Sequence, residues 1–233
     1  MFLNMGLEFF SKIEFANERK DDPAVKARME KVAKGLIEKG MDPDSLILES
    51  FEDPDFFHAL PAEISESDEK IAEFLDNSEK FFKVIHVERQ KRWNGDASGL
   101  LGEEVNIAES THADGRKRRA ESGYRVNVEY LKTIGIDPSK VLFFRATQPS
   151  AEPKPEYYWT SDFFEAKEGL TVEIPAAQRE TAIVLAASLE AINSNGGLIQ
   201  DVNDDSGLAV RQIGTESFDQ TLAISKIKRA TGS

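Results

Sequence analysis

The sequence contains no cysteine among its 233 residues. A disulfide framework, a thiolate-bound metal and a cysteine nucleophile are therefore excluded. A chain without cysteine fits the reducing conditions of the cytoplasm, where we expect this protein to act. No apolar run approaches the roughly 20 residues that a membrane helix requires, and residues 1–5 lack the basic start of a secretory signal. We therefore predict a soluble protein without a membrane partner.

Histidine is scarce as well, and the common cofactor motifs are missing. No His-Glu-x-x-His motif is present, and the three histidines lie far apart in the chain: His58, His86 and His112. An aspartate-rich stretch begins at residue 201, but an EF-hand needs glycine at the sixth position and a carboxylate at the twelfth. Ser206 and Gln212 stand there instead. We predict a hairpin turn at this place and no metal.

Positive charge is in short supply, since 29 Lys and Arg face 42 Asp and Glu for a net charge of -13. A balance this acidic disfavours non-specific binding to nucleic acid or anionic lipid. It favours either solubility or a basic partner. One function hypothesis is therefore a non-catalytic acidic interaction protein that binds a basic protein or imitates the charge of nucleic acid.

The few cations are clustered rather than evenly spread. Arginine presents a planar fork of donors that suits phosphate and carboxylate groups, so these clusters support a nucleotide-binding sensor without turnover as another hypothesis. Carboxylates are interspersed with them, a pattern that favours ordinary solvated helix faces over a binding site. The clustered residues are Arg89, Lys91, Arg92, Arg116, Lys117, Arg118, Arg119 and Arg125.

The pattern of apolar residues predicts an α+β fold, with a helical N-terminal part followed by a mixed or antiparallel sheet with helices. We expect residues 1–233 to form a single domain. A sub-boundary near 93–115 would divide it into helical residues 1–92 and mixed residues 116–233. Neither a P-loop motif nor a Gly-x-Ser-x-Gly motif occurs, so the sequence does not predict P-loop phosphate binding or a serine nucleophile of the α/β-hydrolase type.

Helix signals dominate the N-terminal part. Asp22 and Gly40 predict the start and end of a helix over 23–39. A short apolar run at 46–48 predicts a buried strand. The second helix is predicted over 65–82, where Ser65 and Asp68 form a capping-box pattern, and 83–88 is either a strand or an extension of this helix.

Strand signals increase after residue 135. Gly135 ends a predicted helix and is followed by a turn and a strand, and Gly40 shows the same order. We interpret this as a common helix-to-strand connection rather than evidence of duplication. The pattern 176–193 favours a helix, with a buried strand at 182–189 as the alternative. The other predictions are loops at 93–115 and 148–155, helices at 116–134 and 162–168, strands at 141–144, 156–159 and 170–174, and a hairpin of 198–202 with 208–213.

The segment 141–169 carries the most specific chemical features. A buried strand ends with Arg145, and burial would hold its backbone rigid while the guanidinium points at an anion. After a proline-rich loop come two aromatic residues, which could cover a planar ring. Two hydroxyl residues follow and could bond a ribose or an amide. The aromatic and hydroxyl residues are Tyr158, Trp159, Thr160 and Ser161.

These residues resemble motifs of the mono-ADP-ribosyltransferase family. The family has a strand-end Arg, a Ser-Thr-Ser strand and a Gln-x-Glu motif; Arg145 matches the first and Thr160-Ser161 the end of the second. Trp159 replaces the first Ser, and the interval between the Arg and the hydroxyl residues is shorter than in the family. Gln178-x-Glu180 matches the third motif, while Glu173 and Glu216 are further carboxylates without motif support.

The resemblance implies an enzyme that uses NAD. Arg145 would then bind the phosphates of NAD. Glu180 would be the catalytic carboxylate that steadies the developing oxocarbenium ion and orients the acceptor, with Arg145 contributing to the same step. The implied cofactor-binding residues are Arg145, Tyr158, Trp159, Thr160 and Ser161.

Overall fold

The computed structural model describes residues 11–13, 22–96, 98–108, 121–147, 156–172, 183–194, 196–200, 209–213 and 225–228. In these ranges a helical N-terminal part precedes a region dominated by strands, which confirms the predicted α+β fold. The N-terminal elements are β1 (Ser11–Ile13), α1 (Pro23–Glu38), α2 (Leu46–Phe51), α3 (Pro54–Ala59), α4 (Ala62–Ser65) and α5 (Asp68–Trp93). The later elements are β2 (Leu101–Ala108), β3 (Glu121–Val126), α6 (Val128–Thr133), β4 (Leu142–Thr147), β5 (Glu156–Thr160), α7 (Phe163–Val172), β6 (Ile183–Ser188), α8 (Leu189–Ser194), β7 (Gly197–Gln200), β8 (Ala209–Ile213) and β9 (Ser225–Lys228).

Helix α1 forms where its local signals predict it. The side chain of Asp22 accepts a hydrogen bond from the Ala24 amide at 2.9 Å, and Pro23 occupies the first turn. Pro lacks the amide hydrogen that this turn would leave unpaired, so it fits there. Gly40 follows the helix with a φ of 97°, a left-handed conformation that glycine adopts without a Cβ clash.

The start of α5 differs from the prediction by a few residues. Ser67 caps the helix, because its hydroxyl accepts a hydrogen bond from the Lys70 amide at 3.2 Å. Ser65 belongs to the preceding helix α4, where its hydroxyl donates to the Ala62 carbonyl. The helix then continues without a break to Trp93, so residues 83–88 extend it and are not a strand.

The predicted strand at 46–48 is wrong, because these residues begin helix α2. Ser45 caps that helix by accepting a hydrogen bond from the Leu48 amide. Its buried residues recur at helical spacing: Ile47, Leu48, Ser50 and Phe51. The Gly40 and Gly135 segments stay similar through the Asp-Pro turn, where Asp42 and Asp137 each accept a hydrogen bond from the amide two residues later. They diverge after it, since one leads to a helix and the other to strand β4.

The strands in the described ranges form one sheet of nine members, in the order β1-β9-β6-β4-β5-β8-β7-β3-β2. Neighbouring strands are antiparallel except β1 and β9, which are parallel. The predicted hairpin partners are confirmed as β7 and β8, which pair from Gly197 with Gln212 to Ile199 with Val210. The turn between them lies outside the described residues.

Both faces of the middle strands are buried, so alternate residues enter two separate core clusters. One cluster joins α1, α2, α3, α7 and the first half of α5, and takes Leu142, Phe144, Val184 and Ala186 from β4 and β6. The other joins the second half of α5 with α6 and α8, and takes Phe143, Leu185 and Ala187. Burial of each large apolar side chain contributes roughly 1.5–3 kcal/mol, so both clusters hold β4 firmly in place.

The long helix α5 is fixed to the start of β4 by polar contacts as well as by packing. The side-chain nitrogen of Asn77 donates to the backbone carbonyl of Asp137 at 3.0 Å. The side-chain oxygen of Asn77 accepts from the backbone amide of Asp137 at 2.8 Å. The Ser78 hydroxyl donates to the Lys140 carbonyl at 3.1 Å. These bonds satisfy buried backbone groups beside the short 3-10 turn Pro138–Lys140, which leads directly into β4.

Several later predictions are corrected by the sheet. The predicted loop 93–115 contains β2, and the predicted helix 116–134 contains β3 before the short helix α6. Within 176–193, the alternative strand is confirmed as β6. Helix α7 continues through Gly169 to Val172, so the predicted strand 170–174 is wrong for its first three residues. Long-range strand pairing and packing determine the secondary structure of these segments, and the local sequence pattern does not predict it.

In the described part of the chain, no helix combines the length and the apolar character needed to span a membrane. The longest helix, α5, has 26 residues. It carries charged residues along its length.

Candidate functional site

Arg145 lies on β4, one of the middle strands of the sheet. It pairs with Leu185 of β6 and shares a face of its strand with the fully buried Phe143. The residue itself is half-buried. A half-buried guanidinium on a rigid strand has little freedom to move, so its donors keep a fixed direction.

Strand β5 runs beside β4 and brings the aromatic and hydroxyl residues next to the Arg145 strand. The two strands are antiparallel, with Phe144 opposite Thr160. Trp159 is completely buried and belongs to the same core cluster as Phe143 and Leu185. The register of the two strands sets Trp159 beside Arg145 on the same face of the sheet, so it packs in the core next to that residue.

The hydroxyl of Thr160 is used by the fold. It accepts a hydrogen bond from the Asp162 amide at 3.1 Å and donates to the Glu165 carboxylate. Asp162 in turn accepts from the amides of Phe164, at 2.8 Å, and Glu165, at 3.2 Å. These bonds start helix α7 directly after β5, because they satisfy amides that a helix N-terminus leaves unpaired.

Ser161 is also buried, with 3% of its surface exposed. The structure thus brings Arg145, Trp159, Thr160 and Ser161 onto two neighbouring strands and the turn that follows. The backbone of Tyr158 lies on β5 opposite Arg211. The carboxylates that the sequence proposes for catalysis, Glu173, Glu180 and Glu216, and Gln178 with them, lie outside the described residues.

Glu165 is a carboxylate near this site that the sequence analysis missed. It lies in the first turn of α7, exposed to solvent, and accepts the hydrogen bond from Thr160. Its sequence signal is Asp162-x-x-Glu165, since an acid three residues after a capping aspartate is typical of a helix start. The resemblance directed attention to Glu180 instead.

Helix α7 is tied to the N-terminal helices by an ion-pair cluster. The Lys167 ammonium lies 2.5 Å from the Asp53 carboxylate and 2.8 Å from the Asp55 carboxylate. Burial alone would lower the pKa of Lys167, but the hydrogen bonds to both aspartates outweigh it and raise the pKa above its ordinary value of 10.5. The ammonium therefore stays charged and holds α3 against α7 at neutral pH.

A second feature of charge lies on the helical part. Residues 40–69 lack Lys and Arg. They include ten carboxylates: Asp42, Asp44, Glu49, Glu52, Asp53, Asp55, Glu63, Glu66, Asp68 and Glu69. Four of them form ion pairs, namely Asp53 and Asp55 with Lys167, Glu66 with Lys70, and Asp68 with Arg28 and Lys31. The other six are exposed and have no ion-pair partner among the described residues. We call these six residues, Asp42, Asp44, Glu49, Glu52, Glu63 and Glu69, the acidic surface.

Among the clustered cations that the structure describes, Arg92 is used by the fold. Arg92 donates to the carbonyls of Leu101 and Gly102 at 2.5 Å, and its guanidinium lies 4.5 Å from the centre of the Tyr124 ring. It therefore joins α5 to β2 and β3. Lys91 is exposed on α5, and the cluster at 116–119 lies outside the described residues.

Among the described residues, no three His, Asp or Glu side chains converge as a metal site would require. His86 is exposed and shares a hydrogen bond of 2.9 Å with Gln90 one turn later. Comparison of the chain with protein-family models, curated proteins and solved structures found no match.

Proposed function

We propose that the protein is an ADP-ribosyltransferase-like enzyme that uses NAD. The observation that supports this most is the position of Arg145, half-buried on a middle strand beside the strand that ends at Thr160 and is followed directly by Ser161. In the proposal, Arg145 binds the NAD phosphates, Ser161 supports the ribose next to nicotinamide, and Glu180 acts at the bond that breaks.

The chemistry assigns a distinct task to each group. The arginine fork donates two parallel hydrogen bonds to phosphate oxygens, which orients the dinucleotide. The bond between ribose C1′ and the nicotinamide nitrogen then breaks, and nicotinamide leaves with the bonding electron pair. The carboxylate of Glu180 stabilises the positive charge that develops on the ribose. The acceptor attacks C1′ and gives up its proton to the same carboxylate.

Release of nicotinamide from NAD tests this proposal. We expect the wild-type protein to release nicotinamide, and Arg145→Lys and Glu180→Gln each to lower the rate by roughly 100-fold or more, as loss of one transition-state contact does. Arg125→Lys, at an exposed position of β3, is the matched control and should keep the wild-type rate. Wild-type protein that releases no nicotinamide above the buffer rate would contradict the proposal, and NAD binding without release would support the nucleotide-sensor hypothesis.

A second candidate function is supported by the acidic surface. A non-catalytic protein that binds a basic partner would present unpaired carboxylates to solvent, and six such residues lie within one cation-free stretch. Charge complementarity of this kind directs association and makes binding depend on salt.

An octalysine peptide is a simple probe for this second function. Its affinity should fall as sodium chloride is raised, and Glu180→Gln should leave it unchanged. Neutralising Asp44, Glu49, Glu52 and Glu63 together should weaken binding, whereas neutralising Glu38, Asp96, Glu104 and Glu129 should weaken it less. Equal losses from both sets would show attraction to overall charge and would contradict a specific surface.

A further inference from the structure

A cavity of about 270 Å³ lies between helices α1 and α2. Its floor is formed by apolar side chains that are almost completely buried, since Met29 is 5% exposed and Phe51 is 1% exposed. Its rim is charged and open to solvent. The residues that line it are Lys26, Met29, Glu30 and Ala33 of α1, Phe51 of α2, and Glu52.

The size of this cavity limits what can occupy it. Small-molecule and cofactor sites commonly enclose about 300–1,000 Å³ and bury most of the ligand. The cavity is smaller than that range and opens to solvent on its charged side. It suits one aliphatic side chain that enters from outside, in the way an anchor residue of a partner fills a pocket at an interface.

The charges around the cavity favour a basic occupant. Glu52 is the residue that ends α2 and belongs to the acidic surface, and Glu49, in the first turn of the same helix, precedes it by three residues. Within the part of the chain that the structure describes, Glu30 forms an ion pair only with Lys26, at 4.0 Å, and both side chains are about 70% exposed or more. An ion pair this exposed contributes little, so an incoming cation can take the place of Lys26 beside Glu30.

We propose that a basic segment of a partner protein docks between α1 and α2, inserting one leucine-sized side chain into the cavity and pairing its flanking cations with Glu30 and Glu52. The inference rests on the second proposed function and gives it a location. The apolar contact provides affinity, because it removes hydrocarbon surface from water, and the carboxylates select a basic sequence.

Two peptides that differ at one position test this directly. The probes are Lys-Lys-Leu-Lys-Lys and Lys-Lys-Gly-Lys-Lys, with both ends blocked, and binding is measured by fluorescence anisotropy at low salt. For the wild-type protein we expect the leucine peptide to bind roughly tenfold more tightly, as burial of one aliphatic side chain predicts. Ala33→Leu fills the cavity from within and keeps a good helix former, so the two peptides should bind that variant equally.

Charge variants give an independent second measurement. Glu30→Lys with Glu52→Lys should weaken the leucine peptide more than the control pair Glu104→Lys with Glu129→Lys, while Lys26→Glu should strengthen it. Equal affinities of the two peptides for wild-type protein would overturn the inference, even if octalysine binds and the second proposed function stands. Dimerisation that Ala33→Leu abolishes would also overturn it, because the occupant would then be a second copy of this chain.

Discussion

Thr160 illustrates how a single residue can match a functional motif and also be required for the fold. Its hydroxyl links the end of β5 to the first turn of α7 through Asp162 and Glu165. The residue is 8% exposed, so water cannot replace these bonds easily. A loss of activity in a Thr160 variant would therefore need a measurement of stability beside it before the residue is assigned to a ligand.

Two replacements of Thr160 separate the contribution of its hydroxyl to stability from that of its methyl group. Thr160→Val should destabilise the protein by about 2 kcal/mol, because the Asp162 amide and the Glu165 carboxylate lose their shared partner. Thr160→Ser keeps the hydroxyl and should cost less than about 1 kcal/mol. Urea unfolding followed by circular dichroism measures both, and equal losses would show that the hydrogen bonds contribute nothing.

At the scale of the element, the caps of α5 provide a direct test of where the helix starts. Ser67→Ala should cost about 1 kcal/mol, since the Lys70 amide loses its acceptor. Ser65→Ala is the matched control, because its exposed hydroxyl only donates to a carbonyl within α4. Urea unfolding of the two variants compares them, and a larger loss for Ser65→Ala would place the cap where the sequence pattern predicted it.

The contact between α1 and α5 should depend on pH. Hydrogen bonds from Lys31, at 2.7 Å, and Arg28, at 2.5 Å, lower the pKa of Asp68 below its ordinary value of 3.8. A depressed carboxyl pKa contributes stability above the unfolded-state pKa and loses it as the pH falls through the folded-state pKa. Wild-type protein should therefore be more stable than Asp68→Asn at pH 6, and this difference should shrink as the pH falls below 3.8. Urea midpoints from pH 6 to pH 3 measure it, and a constant difference would contradict the ion pair.

The elements divide into those that local sequence determines and those that it does not. Helix α1 has its cap, its proline and its terminal glycine within a few residues of its ends, so it could be predicted almost to the residue. Strand β6 could not be separated from a helix, because it is an apolar run from Ile183 to Ala187 without polar alternation. It is a strand because its backbone pairs with β4 on one side and with β9 on the other.

The candidate site could be predicted only in part, for the same reason. The sequence predicts strands at 141–144 and 156–159, with the two hydroxyl residues directly after the second, and these segments overlap strands β4 and β5. The antiparallel contact between the two strands, with β6 and β8 on their other sides, is a long-range choice that one sequence does not display. The burial of Trp159 follows from that choice.

At the scale of the whole molecule, Lys167 connects the helical part to the sheet. Its partners Asp53 and Asp55 precede it by 114 and 112 residues, which is why no local pattern predicts the contact. Both carboxylates are largely buried, with 13% and 11% of their side chains exposed. Without the ammonium, they would repel each other at the junction between α3 and α7.

Comparison of two lysines tests how much this connection contributes. Lys167→Met should destabilise the protein by roughly 1–3 kcal/mol, because it removes the charged hydrogen bonds from the ammonium to two largely buried carboxylates. Lys132 also bridges two acids, Glu129 and Glu190, but all three side chains are at least 42% exposed. Lys132→Met should therefore cost less than about 1 kcal/mol. Urea unfolding measures both, and equal losses would contradict a stabilising role for the Lys167 cluster.

Titration of NAD into the protein by isothermal calorimetry tests the central claim most directly. The account predicts that wild-type protein and Arg125→Lys bind NAD with the same affinity, and that Arg145→Lys binds at least about tenfold more weakly, because its single ammonium cannot replace the two parallel bonds of the guanidinium. All three proteins should give the same circular dichroism spectrum. No heat of binding for the folded wild-type protein, or equal affinity for Arg145→Lys, would contradict it.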